Sequence, residues 1–334
     1  NENLDAQGNA GKTTIWKYRS GSLDADVINY SNLIDVTVIE TSSFDLRGNA
    51  LNQTVKKYSD IAMAALTETQ TIVNSGYNFQ DRVGHSSIVT TNSKGEFVDR
   101  QEIDYSSYDQ LGNVIEQTVK RFDQTDTLID YKVIHNDYGD ALAARRGNAT
   151  HTTINRYTST TLLNSATRID RQEIYNDPNT IDSRGNIVNQ TVELYVTDKI
   201  TGTEKLSRKT VIHNSDISNS GDSGNQEITT YSTDSNGNII PKETSYQLIT
   251  NRAFDSSHNV LNQMVLSYLD AAKATLLDVQ EVRNLSFDTR GNALEQRIAT
   301  FSDINKTQLL DIKVIKNENL DAQGNAGKTT IWKY

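Results

Sequence analysis

Apolar and polar positions alternate along much of this chain with the two-residue period of a β-strand. The segment from Leu276 to Asn284 is a clear example, and it is rich in β-branched residues. Segments that begin at Leu309, Leu128 and Leu33 repeat its pattern. Alternation combined with β-branched residues favours strands over helices. The pattern therefore predicts an all-β chain.

A five-residue phrase, Asp-x-x-Gly-Asn, separates many of these segments. An Asp in such a phrase accepts hydrogen bonds from the backbone two residues on, and the Gly supplies the left-handed conformation that a tight hairpin turn requires. The phrase begins at Asp5, Asp45, Asp109, Asp182, Asp288 and Asp321. We predict that four copies supply structural turn residues: Asp45, Gly48, Asn49, Asp109, Gly112, Asn113, Asp182, Gly185, Asn186, Asp288, Gly291 and Asn292.

Degenerate copies of the phrase fill the gaps between the clear ones. They are predicted at Asp81 to His85, Ala144 to Asn148, Gly221 to Asn225 and Asp255 to Asn259, the last with His258 in the glycine position. The units then follow one another every 28 to 40 residues. Such spacing is typical of repeat architectures. Each unit is predicted to be a strand, this tight turn, a second strand and a looser connection.

The strand after each turn carries two recurring positions. The fifth residue after the Gly is glutamine in five units, Gln53, Gln117, Gln190, Gln263 and Gln296. If the units stack in register, these side chains could form a hydrogen-bonded structural ladder; the alternative is an ordinary solvent-facing position. The tenth residue is aromatic, for example Tyr58 and Phe301. Because its parity differs from that of the glutamine, it faces the other side or follows a β-bulge.

A second, longer repeat surrounds these units. Residues 317–334 are identical to residues 1–18, an offset of 316 residues. Residues 1–316 are therefore interpreted as one large repeat of nine hairpin units of about 35 residues, and residues 317–334 as the start of the next identical repeat. We expect the chain to be a piece of a longer array in which each unit packs on its neighbours.

Two strands per unit would give about 18 strands per large repeat, a contour of roughly 86 Å at the usual strand spacing. We predict that the hairpins form a continuous antiparallel sheet that spirals into a tube or solenoid-like fibre. One turn per large repeat would give a tube about 27 Å across, by the same spacing.

The aromatic-Asp-x-x-Gly-Asn pattern resembles the YD repeats of Rhs and teneurin-like proteins. The matching stretches are Phe44 to Asn49, Tyr108 to Asn113 and Phe287 to Asn292. The resemblance implies hairpins that join side by side into a sheet, which in that family spirals into a hollow shell. This chain departs from the family in its longer units and its frequent Phe-Asp, and no self-cleaving segment or toxin domain is visible. The identical long repeat is more like a giant bacterial surface protein.

Composition limits the partners that we expect. The net charge is −10, so no basic surface favours nucleic acid. Cysteine is absent, and no apolar run is long enough to span a membrane. We expect an extracellular or cell-surface protein whose partners are neighbouring repeats of the same or identical chains, with glycans as a further possibility.

Candidate chemistry is sparse. Asp234 to Asn238 is the nearest fragment of an EF-hand loop but lacks the remaining ligands. The five histidines have no metal-ligand spacing. Gly11-Lys-Thr13 lacks the rest of a P-loop. We therefore expect no enzyme, no metal and no cofactor.

Three functions remain open from the sequence. The leading hypothesis is a structural component of an extended extracellular fibre, tube or stalk. The second is an adhesin that binds surface glycans. The third is a YD-type shell that encloses a toxin or enzyme encoded outside these residues.

Overall fold

The computed structural model describes residues 1–24, 27–198, 200–218, 221–255, 258–288, 291–320 and 324–334. Within these residues the chain is all-β apart from one short helix and two short 3₁₀ turns, at Pro178–Thr180 and Pro241–Glu243. It divides into two compact units, Asn1–Val133 and Ile134–Tyr334.

The first unit is an antiparallel meander. Each strand from β1 to β7 pairs with the next one along the chain. The strands up to the end of this unit are β1 (Glu2–Leu4), β2 (Ala10–Asp24), β3 (Val27–Phe44), β4 (Ala50–Tyr58), β5 (Leu66–Ser75), β6 (His85–Asn92), β7 (Phe97–Tyr108), β8 (Val114–Phe122) and β9 (Leu128–Asp137).

The second unit has the same organisation. It contains a short helix, α1 (Ala141–Arg145), and each strand from β10 to β19 pairs antiparallel with the next. Its strands are β10 (His151–Tyr157), β11 (Arg168–Asn176), β12 (Asn189–Thr197), β13 (Glu204–Ile217), β14 (Ser223–Ser232), β15 (Ser245–Phe254), β16 (Val260–Tyr268), β17 (Leu276–Phe287), β18 (Ala293–Phe301), β19 (Leu309–Leu320) and β20 (Ala326–Lys333). The prediction of antiparallel β-hairpins is thus confirmed in both units. The spiral and the tube stay predictions.

The aromatic residue ten positions after the turn glycine marks a β-bulge. In β4, Lys57 lies opposite Glu68 but Tyr58 lies opposite Leu66, so the partner strand contains one extra residue. The same shift occurs at Tyr18, Tyr157, Tyr195, Tyr268 and Phe301. The aromatic residue thus lies beside a bulge of the partner strand, one of the two arrangements that the sequence predicts, and it faces a leucine of that strand except at Tyr157, which lies opposite Arg168.

The connection at the other end of three of the hairpins is tighter than the sequence indicates. Asp60 accepts hydrogen bonds from the N–H groups of Ala64 and Ala65, at 3.1 and 2.7 Å. Asp270 and Asp303 make equivalent bonds to the fourth and fifth residues after them. Both ends of such hairpins are therefore closed by an Asp-anchored turn.

The apolar core is thin. Val36 and Val279 are fully buried, and each follows an Asp in the strand that carries the bulge. Few other large apolar side chains among the described residues are buried to this extent. Backbone pairing and turn contacts must therefore contribute much of what holds successive hairpins together.

Candidate functional site

The Asp45 turn shows how the five-residue phrase folds. The Asp45 N–H donates to the Asn49 carbonyl oxygen at 2.9 Å, and the Gly48 N–H donates to the Asp45 carbonyl oxygen at 3.1 Å. Asp45 Oδ1 accepts from the Arg47 and Asn49 N–H groups at 2.8 and 2.9 Å, and Oδ2 accepts from Asn49 Nδ2 at 2.9 Å. Gly48 has a φ of +87°. One carboxylate satisfies three donors, so Asp, Gly and Asn recur together.

Four other clear copies, and the degenerate copy that begins at Asp255, make the same pair of Asp–Asn contacts. The Asn N–H donates to Oδ1 and the Asn Nδ2 donates to Oδ2, at 2.8 to 2.9 Å, in the turns that begin at Asp5, Asp109, Asp182, Asp255 and Asp288. Gly112, Gly185 and Gly291 have φ values of +95°, +87° and +81°. The copy that begins at Asp321 starts outside the described residues, but Gly324 has a φ of +87°.

Three degenerate copies fold differently from the prediction. The first turn is Asn78 to Arg82, not Asp81 to His85, and Asp81 takes the left-handed position with φ +61°. The reason is that an Asn can replace the turn Asp, and an Asp tolerates positive φ. Gly84 serves a different purpose, because a Cβ there would lie 2.5 Å from the Gly76 carbonyl oxygen.

The second correction concerns Gly221 to Asn225. The turn is Ser218 to Asp222, and Gly221 holds the left-handed position with φ +89°. Ala144 to Asn148 keeps only part of the predicted turn. Gly147 has a φ of +73° and its N–H donates to the Ala144 carbonyl oxygen at 3.0 Å, but Ala144 lies in helix α1, where the N–H groups of Leu142 and Ala143 donate to the Asp140 carboxylate. A short helical turn capped by Asp can therefore take the place of the turn Asp.

His258 occupies the glycine position of its turn, as the sequence predicts, with φ +66°. Asp234 to Asn238 folds as another copy of the turn, with Asn238 donating to Asp234 Oδ1 and Oδ2 at 2.9 and 3.1 Å. Across the described ranges, no group of three or more His, Asp or Glu side chains is arranged to hold a metal ion.

Successive turns touch one another in each unit, forming a row that we call the turn column. In this column the Asn of one turn packs against the glycine of the next. A Cβ on Gly48 would lie 2.6 Å from Asn9 Oδ1, a Cβ on Gly291 would lie 2.5 Å from Asn259 Oδ1, and a Cβ on Gly324 would lie 2.8 Å from Asn292 Oδ1. The glycine is therefore required twice, for its backbone conformation and for this contact.

In two pairs of the turn column a polar side chain takes the glycine position. Asn49 Nδ2 donates to Asp81 Oδ1 at 2.8 Å, where Asp81 replaces the glycine. Asp222 replaces the Asn of its turn and contacts His258 Nδ1 through Oδ1 at 2.7 Å. In both cases a polar side chain in the glycine position meets a partner that it can hydrogen-bond. Contact between turns is thus kept when the residues change.

Arginines add a second link between turns. Arg47 Nη2 donates to the Asn78 carbonyl oxygen at 2.6 Å, and Arg82 donates to the carbonyl oxygens of Asp109 and Gln110. In the second unit, Arg146 donates to the Asp182 carbonyl oxygen at 2.7 Å and Arg184 to the Ser218 carbonyl oxygen at 2.9 Å. A guanidinium suits this role because it presents several donors in a fixed geometry.

The glutamines of the predicted ladder bond to the strand before them. Gln190 Nε2 donates to Asn176 Oδ1 at 2.9 Å, and Gln296 Nε2 donates to Asn284 Oδ1 at 2.6 Å. Gln53 donates to Thr41 Oγ1 at 3.2 Å. Gln117 lies opposite Tyr105, and Gln263 opposite Asn251. Gln263 in β16 and Gln296 in β18 lie two strands apart, about 9.6 Å, and the other glutamines of each unit lie four strands from the next one. Intervening residues therefore separate the glutamines, and the stack is a mixed one.

The asparagines in this stack have a role that the sequence did not reveal. Five of them donate from Nδ2 to a carbonyl oxygen at, or just before, the start of the preceding unit's second strand, while their Oδ1 atoms accept from the following strand. Asn284 donates to the Val260 carbonyl oxygen at 2.7 Å. The same bond is made by Asn74, Asn176, Asn214 and Asn317. The only available signal was a recurring Asn at the end of the first strand. We call these residues the asparagine clamps.

Hydrogen bonds hold two of the turn carboxylates, Asp45 and Asp182, in their ionised form. Hydrogen bonds from the Asn49 side chain and backbone hold the pKa of Asp45 below its usual value. Burial raises the pKa of Asp182, but hydrogen bonds from Asn186 and Arg184 outweigh it and lower the pKa to about 2. The bonds favour the charged form because a carboxylate accepts them better than a carboxylic acid does.

Comparison with known proteins gives only weak likenesses. No family model and no curated protein matches the chain. Matches among solved structures include TcdB2-TccC3 without its hypervariable C-terminal region, with 11% identity, a TM-score of 0.23 and coverage of 97% of this chain and 19% of that one. The chain is similar to part of a Tc toxin.

The Photorhabdus luminescens Tc holotoxin pore with the TccC3-D651A mutation matches with 10% identity and a TM-score of 0.19, over 91% of this chain and 20% of that one. The chain therefore spans about a fifth of the length of these structures. With TM-scores this low, the fold rests on the strand pairing described above. In the described parts of the chain, no helix combines the length and apolar character needed to cross a membrane.

Proposed function

We propose that this chain is a building block of an extended, repetitive β-sheet structure, a fibre or stalk outside the cell, and that it carries no catalytic centre. The observation that supports the proposal most is that the two identical segments pair in the same strand register. In the first unit, Glu2 pairs with Lys12 and Leu4 with Ala10. In the second unit, Glu318 pairs with Lys328 and Leu320 with Ala326.

Side-chain contacts repeat together with this register. The Lys12–Glu2 ion pair measures 3.0 Å and the Lys328–Glu318 pair 2.9 Å. Thr13 Oγ1 donates to Asn1 Oδ1 at 2.8 Å, and Thr329 Oγ1 donates to Asn317 Oδ1 at 2.9 Å. The second copy of the segment therefore starts the same hairpin as the first.

The junction at residue 317 uses the contacts found inside the large repeat. Asn317 donates to the Ala293 carbonyl oxygen as an asparagine clamp, and Asn292 packs against Gly324 as in the turn column. No new type of interface is needed to join one large repeat to the next. Adding copies would then extend the sheet with one set of contacts, as in other repeat proteins.

Electron microscopy of chains with one, two and three 316-residue repeats would test this proposal. We expect particle length to grow by a constant increment with each repeat. Separate beads at variable distances would contradict it. A closed body with a central cavity would favour the shell hypothesis, and glycan-array binding by a single repeat would favour the adhesin. Immunogold labelling of intact source cells would test the extracellular location.

A further inference from the structure

We infer that Asn236 is a site of spontaneous deamidation, at which the neighbouring backbone converts the side-chain amide into a carboxylate through a succinimide. This modification goes beyond the proposed function, because it is a reaction of the chain itself with water. Asn236–Gly237 is the only Asn–Gly step among the 334 residues. It lies in the turn from Asp234 to Asn238, which belongs to the connection between β14 and β15.

The chemistry needs no reactant other than water. The Gly237 backbone nitrogen attacks the side-chain carbonyl carbon of Asn236, and the new N–C bond closes a succinimide ring. The Cγ–Nδ2 bond breaks, and ammonia leaves with the proton of the attacking amide. Water then opens the ring at either carbonyl, which gives aspartate or isoaspartate. Glycine favours this attack because it has no Cβ to crowd the nitrogen.

The side chain of Asn236 is available for this reaction. The residue is exposed, and its side-chain amide makes no hydrogen bond to any residue that the structure describes. Asn238 lies in the same turn but donates from Nδ2 to Asp234 Oδ2 at 3.1 Å, and a β-branched residue, Ile239, follows it. The two asparagines therefore differ in the freedom of the amide and in the access to the next backbone nitrogen.

The turn controls how often the attack can occur. The Gly237 N–H donates to the Asp234 carbonyl oxygen at 3.0 Å, and Gly237 has a φ of +86°. Asp234 Oδ1 also accepts from the N–H groups of Asn236 and Asn238, at 2.8 and 2.9 Å. While these bonds hold, the Gly237 nitrogen is fixed as a donor, so the reaction requires local opening of the turn. Exposed turns with few buried contacts open at a low free-energy cost.

Modification would change how this turn contacts β13. Lys205 Nζ donates to the Ser235 carbonyl oxygen at 2.8 Å, and a Cβ on Gly237 would lie 3.2 Å from the Leu206 nitrogen. Isoaspartate adds one carbon to the backbone before Gly237, so the turn must rearrange its hydrogen bonds. Aspartate keeps the backbone and adds a negative charge to an already acidic chain. Either product alters the link between this turn and β13 irreversibly.

Tandem mass spectrometry of the purified full-length chain, aged in mildly alkaline buffer, tests the inference without any variant. We expect Asn236 to be the first asparagine converted, to a mixture of aspartate and isoaspartate, while Asn238 stays an amide. Conversion should be slower than in the same chain unfolded in urea, because unfolding releases the Gly237 nitrogen. The inference is wrong if another asparagine is converted first, or if Asn236 is intact when the unfolded chain has been converted.

Asp234→Ala tests the control that the turn exerts. Loss of the carboxylate should raise the rate at Asn236 about tenfold, the change in open population that corresponds to about 1.4 kcal/mol. Asp123→Ala is the matched control, because Asp123 holds a similar turn through the N–H groups of Thr125 and Thr127 at 2.8 and 2.9 Å, and it should leave this rate unchanged.

An unchanged rate in an Asp234→Ala chain that keeps its β-sheet circular dichroism would overturn control by the turn. None of these rates depends on particle length, so the series of one, two and three repeats tests the proposed function separately.

Discussion

Replacing Gly48 with Ala separates the contact between turns from the backbone conformation of the turn. Gly48 has a φ of +87°, and a Cβ there would lie 2.6 Å from Asn9 Oδ1. Gly8 also has a φ of +87°, but a Cβ there would meet nothing within 4 Å. Because the two glycines share one backbone conformation, Gly8→Ala is a matched control for Gly48→Ala.

The expected loss of stability in each variant follows from the backbone conformation and from the contact with Asn9. A left-handed Ala costs about 1–2 kcal/mol in either variant. Gly48→Ala must in addition move Asn9, whose Nδ2 donates to Asp5 Oδ2 at 2.9 Å. Overpacking of this kind costs about 1–3 kcal/mol. We therefore expect a loss of about 1–2 kcal/mol for Gly8→Ala and about 2–5 kcal/mol for Gly48→Ala.

Native-state hydrogen exchange would measure the free energy of local opening, from the amides of residues 41–58 for Gly48→Ala and from those of residues 2–18 for Gly8→Ala. In an Asn9→Ala background, the excess loss from Gly48→Ala should shrink, because the truncated side chain leaves room for the new Cβ. Equal losses in the two glycine variants would refute the stacked contact. The stacked contact would also be refuted if the loss of stability in the double variant Gly48→Ala/Asn9→Ala equalled the sum of the two single losses within about 0.5 kcal/mol.

Three further predictions concern other contacts of the turns and clamps. The ionised Asp182 carboxylate should stabilise the fold in full above its ordinary pKa of 3.8, and this stabilisation should be lost as the pH falls through about 2. The difference in thermal midpoint between the wild type and Asp182→Asn should therefore narrow over that range. Asn284→Ala breaks the hydrogen bonds to the Val260 carbonyl oxygen and to Gln296, so the free energy of local opening measured by hydrogen exchange of β16–β18 should fall by about 1–3 kcal/mol. Asn305→Ala, at an exposed hairpin tip, is the control and should lower it far less. Equal losses in the two variants would contradict the clamp. Asp222→Asn with His258→Gly restores the common Asn–Gly pair, so the double variant should match or exceed the wild type in thermal midpoint, while Asp222→Ala, which leaves His258 without this partner, should lower it.

The sequence was informative wherever the controlling contact is short in sequence. Asp45 and Asn49 are four residues apart and bond directly, so the phrase itself predicts the turn. It misled where another residue could take the same backbone conformation. Asp81 holds the left-handed position near Gly84, and Gly221 holds it near Gly224. Searching for the nearest glycine that fitted the repeat spacing therefore chose the wrong residue in both units.

Alternation, the turn phrase and the identical segments were enough to predict antiparallel hairpins, because these patterns depend on neighbouring residues. The turn column and the asparagine clamps were not predictable in this way. Asn9 meets Gly48, and Asn284 bonds the Val260 carbonyl oxygen, across separations that vary from unit to unit. Such contacts depend on strand register and on the position of each bulge, which only the paired strands fix. The hairpins are thus set locally, and the links between them are set by the sheet.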